Sequence, residues 1–258
     1  MKHHIFIEGL QGSGKSTLLR KLSQKFPEYK AYYEGDISPV ELAWCSYMTK
    51  EQYEKALQKY PHVEQEIKQF TKQEGDRYIV AYTRILADMR EFYEWMEFFE
   101  IYNGRVPFEQ FHDIIMNRYC ALKPDSKNLF ECSFFQNSME SMMLYYQMCE
   151  QEIVEFYKEA YKILQPKGFQ MIYLQSGNIR ENILQIKKER TDEQGVELWY
   201  PLMLRYLQES PYGKAHGFEG LDDMIAHFER RVAIEERIIK EVLKTDCVML
   251  RAKKYRLH

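Results

Sequence analysis

Nine consecutive residues, Gly9-Leu10-Gln11-Gly12-Ser13-Gly14-Lys15-Ser16-Thr17, complete the pattern GxxxxGK(S/T) directly after an apolar run, Ile5-Phe6-Ile7. Each residue type has a chemical task. Glycines let the backbone curl so that successive N–H groups point inward at phosphate oxygens, and a helix starting near Lys15 adds its positive end. Lys15 would reach the β- and γ-phosphates. Ser16 would offer its hydroxyl to Mg2+, an ion that such sites hold mostly through phosphate oxygens and water. Gln11, Gly12, Ser13 and Gly14 supply the cradle, and Thr17 sits one residue further in. The expected ligand is a nucleoside triphosphate with Mg2+.

Phosphoryl transfer from such a ligand is mainly positioning and charge stabilisation around an in-line displacement. Acidic residues stand where strands are expected to end: Glu8 after the first, Glu34 and Asp36 after the second, Glu131 after the third. Glu131 follows an apolar strand and would hold Mg2+ through water, while Asp36 or Glu34 would accept the proton of an acceptor hydroxyl. Each of these carboxylates also has a bland reading as a solvated loop charge. Arg180, Lys187, Lys188 and Arg190 lie on or just beyond the helix after the fourth strand, with Lys187 and Arg190 on one face. They read as a lid that neutralises charge in the transition state, or as a solvated face paired with Glu181 and Glu189. Arg77, Arg84, Arg105 and Arg118 could bind an acceptor phosphate. Trp44 and Tyr47, expected on a helix after Asp36, could stack on a flat acceptor or pack in the core.

The elements that must position these groups follow from periodicity. Strands are expected at Lys2 to Ile7, Lys30 to Tyr33, Asn128 to Cys132, Gln170 to Leu174 and Asp246 to Leu250. Helices are expected at 15 to 25, at 136 to 164 as a pair, at Asn178 to Glu189 and at 221 to 244. From Pro39 to about Ala121 the pattern is helical, with Thr49 as an N-cap, a breaker at Pro61 and a strand-like piece at Tyr78 to Tyr82. Ile85 to Phe99 reads as one helix whose apolar face holds Leu86, Met89, Phe92, Tyr93, Met96 and Phe99, and another helix follows Pro107. Five strands alternating with helices imply an α/β fold with a parallel sheet, whose ligands bind at the carboxyl ends of the strands. The chain reads as a single domain, 1–258, with 49–125 as a helical substrate-facing insertion.

The 258 residues suffice for one large α/β domain, and the net charge of −3 speaks against polymeric nucleic acid or an anionic membrane surface as partner. Five cysteines without CxxC spacing indicate neither a zinc site nor a disulfide framework. No 18-residue apolar run occurs and the start leads straight into a strand, so a soluble cytoplasmic protein is expected. His3 and His4, neighbours on a strand, would point to opposite faces and could not chelate one ion together. The basic tail, Arg251 to Arg256, could touch a nucleotide base or keep the terminus soluble. The helices after Glu131 could pack in the core or at a homodimer interface.

The run IEGLQGSGKST, Ile7 to Thr17, resembles the opening of thymidylate kinases and deoxynucleoside kinases, within the wider nucleoside/nucleotide kinase group of P-loop proteins. The base that deoxynucleoside kinases carry after strand two falls on Glu34 or Asp36. Their Glu-Arg-Ser triplet looks like Glu131-Cys132-Ser133, and their strand four, helix and arginine-rich lid look like Ile172 through Arg190. Two departures stand out: Cys132 replaces the triplet's arginine, and the lid offers Lys187, Lys188 and Arg190. The resemblance implies a three-layer P-loop kinase fold with strand order 2-3-1-4-5. It further implies an ATP- and Mg2+-dependent kinase using Lys15, Asp36 or Glu34, Glu131, Lys187 and Arg190 on a (deoxy)nucleoside or nucleoside monophosphate. Two other readings stand beside it: a P-loop ATPase or nucleotide-dependent switch without a small acceptor, and a kinase of a non-nucleoside alcohol such as an antibiotic.

Overall fold

The computed structural model of the chain describes residues 2–252. In chain order its elements are β1 (His4–Gly9), α1 (Lys15–Lys25), β2 (Lys30–Tyr32), β3 (Ser46–Thr49), α2 (Lys50–Lys59), α3 (Glu64–Gln69), β4 (Thr71–Glu74), β5 (Arg77–Val80), α4 (Arg90–Glu97), α5 (Phe108–Ala121), β6 (Asn128–Glu131), α6 (Gln136–Glu140), α7 (Glu150–Leu164), β7 (Phe169–Gln175), α8 (Ile179–Glu189), α9 (Trp199–Glu209), α10 (Pro211–His216), α11 (Leu221–Ile238) and β8 (Cys247–Arg251). By internal contacts they form two compact units, one from the segments up to Ala31 and from Lys123 onward, the other Tyr32–Leu122.

β1 is buried at every position, as a strand covered on both faces requires. It lies at the centre of a five-stranded parallel sheet in the order β2-β6-β1-β7-β8, the order 2-3-1-4-5 among these strands, and helices on both faces complete a three-layer α/β fold. The register sets Ile7 beside Glu131 and Gly9 beside Leu174, which levels the carboxyl ends of β6, β1 and β7. Phe6 anchors the core between Phe130 and Phe169, with ring centroids at 4.8 and 5.0 Å. Full burial of each such ring contributes about 1.5–3 kcal/mol.

One polar network runs through the same unit. Arg231, wholly buried, donates to Glu235 and to Glu140 at 2.7 Å each, His227 meets the other Glu140 oxygen at 2.7 Å, and the Tyr173 hydroxyl donates to Glu235 at 2.7 Å. These bonds tie α6, α11 and β7 together. Burial alone would raise the Glu140 carboxyl, but the charges of His227 and Arg231 outweigh it and hold its pKa down to about 2.

The Tyr32–Leu122 unit adds an antiparallel sheet, β3-β5-β4, to the expected helices. Thr49 caps α2 through a capping box with Gln52, and Pro61 opens a short 3-10 turn. Met48, Ile67, Val80, Phe92 and Met96 form part of its core.

Several boundaries differ from the sequence reading. The expected helix Ile85 to Phe99 shrinks to α4, because the Tyr93 hydroxyl donates to Ile85 O and accepts from Ala87 N–H, which holds that segment out of a helix. Leu86 is consequently 94% exposed rather than part of an apolar face. Trp44 and Tyr47 are not on a helix. Ser38 Oγ takes the N–H groups of Val40 and Glu41, and Glu41 Oε1 takes those of Leu42 and Ala43, so side chains displace the helical ladder there. β1 ends at Gly9, two residues past the expected end, and α11 gives way to a π turn, Ile239–Leu243. α9 and α10 lie between α8 and α11, where no element was expected. Among the described residues no helix is long and apolar enough to cross a membrane. Residues 253–256 of the basic tail lie outside the described residues.

Candidate functional site

The segment Gly9 to Gly14 turns the chain from β1 into α1. Gly9 has φ +135°, and a Cβ there would lie 2.5 Å from Leu174 O, so only glycine fits beside β7. Gly14, at φ 98°, is the N-cap of α1; no side chain caps this helix and its first turn carries no acid. An anion would complement such a helix end.

Lys15 is buried, and its Nζ donates to Gly9 O at 2.7 Å and to Leu10 O at 3.0 Å. Ser16 Oγ donates to Glu131 Oε1, which brings the two residues expected at Mg2+ into direct contact across the ends of α1 and β6. Among the described residues no group of three or more His, Cys, Asp or Glu is arranged for a metal. The Ser13 hydroxyl and Gln11 Oε1 are buried in the loop with no hydrogen-bond partner among the described residues. Thr17 is exposed on α1.

After Glu131 the backbone bends sharply. Cys132 is buried at φ 56° and its thiol donates to Gln136 Oε1 at 3.3 Å, while Ser133 Oγ donates to Glu131 O at 2.9 Å. The bend delivers Phe134 N–H to Glu8 Oε1 at 2.7 Å. Glu8 is therefore 0% exposed and sits inside the sheet layer, not facing a crevice as its place at a strand end suggested. Burial drives its pKa up to about 7, against the opposing pull of the Phe134 amide and Lys15.

On the segment expected to form a lid, Asn178 caps α8 by accepting from Glu181 N–H at 3.0 Å. Lys187 pairs with Glu197 at 3.4 Å, across the turn instead of with Glu181 or Glu189, and its ammonium lies 4.1 Å from the centre of the Tyr200 ring. Arg190, exposed, ends the helix with its N–H on Ile186 O at 2.9 Å. Asn182 and Ile186 of α8 reach the Gln11–Gly12 stretch; the sequence reading missed both, although a polar and an apolar residue one turn apart beside the lid cations were a visible signal.

Within Tyr32–Leu122, Asp36 has both carboxylate oxygens engaged, Oδ2 by Tyr33 N–H at 2.8 Å and Oδ1 by Arg84 at 2.6 Å. Glu34 is exposed and accepts from Trp44 Nε1 at 3.0 Å. Trp44 is 45% exposed and held at φ 62°, a costly backbone for a large side chain and of the kind found where a side chain must be presented. All four arginines named from the sequence face carboxylates: Arg77 meets Asp76, Arg84 meets Asp36, Arg105 meets Glu97 and Arg118 meets Glu74.

No family model matches the chain, and no curated protein is significantly similar to it. What the structure shares with P-loop kinases is architecture in its general form, the five-stranded parallel sheet with the loop at the carboxyl end of its central strand and helical insertions beyond.

Proposed function

We propose that the protein is an ATP- and Mg2+-dependent kinase that phosphorylates a small-molecule acceptor, a (deoxy)nucleoside or nucleoside monophosphate. The observation that carries this reading is the N-terminus of α1 directly after the Gly9–Gly14 turn, with Lys15 and the Ser16–Glu131 pair at its mouth. Loop amides and Lys15 would hold the β- and γ-phosphates, and Ser16 and Glu131 would hold Mg2+, whose chemistry there is to neutralise charge on the transferring group. Lys187 and Arg190 would add positive charge from the lid. Glu34 or Asp36 would take the proton of an acceptor hydroxyl. A hydroxyl acceptor is favoured over a phosphate because Arg77, Arg84, Arg105 and Arg118 each face a carboxylate already.

An ADP-release assay over nucleosides, nucleoside monophosphates and aminoalcohol antibiotics tests this. A nucleoside should stimulate ADP release severalfold, and Glu34→Gln or Asp36→Asn, tested singly, should lower kcat more than it raises KM. ATP hydrolysis that no acceptor stimulates would replace the kinase reading with that of a nucleotide-dependent switch.

A further inference from the structure

We propose that α8 is a clamp on the phosphate loop, with Ile186 and Asn182 as positioning residues that hold Gln11 and Gly12 in the conformation the triphosphate needs. This rests on the reading of Gly9 to Thr17 as a triphosphate site. Gly12 occupies a variable position of GxxxxGK, so the motif does not itself require glycine there. The fold does. Gly12 sits at φ +72°, and a Cβ on it would lie 2.5 Å from Ile186 Cγ1 and 2.8 Å from Ile186 Cδ1.

Ile186 has little room to withdraw, being 1% exposed within α8. One turn earlier on the helix, Asn182 Nδ2 donates to Gln11 O at 3.0 Å. A van der Waals stop on Gly12 and a hydrogen bond on the preceding carbonyl together fix the orientation of the loop peptides, and hence where their N–H groups point. Asn182 and Ile186 are four residues apart and so share one face of α8, which runs from its cap Asn178 to Arg190. The helix that contacts the loop also carries Lys187 and leads into Arg190.

MgATP binding to the full chain, measured by calorimetry, tests the clamp. Gly12→Ala should weaken binding by about tenfold or more, and adding Ile186→Ala should recover part of that loss, because the atoms a Cβ would strike are gone while the strain at φ +72° remains. A double variant no better than Gly12→Ala, or a Gly12→Ala protein that binds as wild type, would overturn the proposal while leaving the triphosphate site standing. Should Gly12→Ala fail to fold, Asn182→Leu, close in volume but without a donor, should weaken MgATP severalfold with an unchanged melting temperature; unaltered affinity there would also overturn it. Absence of MgATP binding by the wild-type protein would remove the underlying reading, and the clamp with it.

Discussion

A carboxyl group shut away from water resists ionisation, and Glu8, one residue before Gly9, is such a group. Unfolded, it loses its proton near 4.5; folded, it keeps it to about 7. Between those values the native state binds the extra proton, so this group's contribution to stability falls as pH rises from about 4.5 to 7 and is constant above. Glu8→Gln, which keeps an acceptor for Phe134 N–H, should therefore stabilise the protein at pH 8, by on the order of 3 kcal/mol at most, and change it little at pH 4.5. Denaturant melts at the two pH values check this; equal effects at both would show that Glu8 titrates normally. The sequence marks Glu8 as acidic and near a strand end. It does not reveal the burial, which depends on Cys132 bending the chain so that Phe134 N–H arrives from 126 residues away. Lys15, Ser16 and Glu131, by contrast, were legible as a set, because the loop motif and an apolar strand ending in an acid are local patterns.

Among the elements, α11 carries His227, Arg231 and Glu235 at four-residue spacing, a row that amphipathic reasoning assigns to solvent. The row is buried because Glu140 and Tyr173 meet it from other elements. Glu140→Ala would leave Arg231 and His227 without their shared carboxylate and should cost about 3–5 kcal/mol, seen as a lower denaturant midpoint at pH 7. A midpoint within experimental error of wild type would mean that the network contributes nothing to stability. Strong local signals placed other elements well: α1 was read at its observed limits and Thr49 at the cap of α2. Helical spacing misled where side-chain hydrogen bonds competed with it, as the Tyr93 hydroxyl does for Ile85 and Ala87, and where Ser38 and Glu41 side chains take amides that a helix would need. β3 and β4 are four residues each and pair only through β5, so neither had a periodic run long enough to read.

For the molecule as a whole, the parallel sheet followed from alternating elements, and the strand order that the resemblance to nucleoside and nucleotide kinases implied is the one observed. Charge is unevenly divided along the chain. Residues 32–122 carry sixteen Asp and Glu against ten Lys and Arg, net −6, whereas the rest carries twenty-three against twenty-six, net +3. A positive remainder suits a triphosphate, and a negative 32–122 segment suits an acceptor that brings no phosphate of its own. The division appears only once the structure sets the bounds 32–122, and the pairing of each arginine with a carboxylate was likewise not legible, since Arg84 and Asp36 are 48 residues apart. The most direct test of phosphotransfer follows the γ-phosphoryl group itself, using ATP labelled at that position with Mg2+ and a nucleoside. The expected result is label in the nucleoside, reduced about a hundredfold or more in rate by Lys15→Ala, which removes the positive charge beside the transferring group. Label found only in inorganic phosphate, or transfer at an undiminished rate by Lys15→Ala, would contradict it.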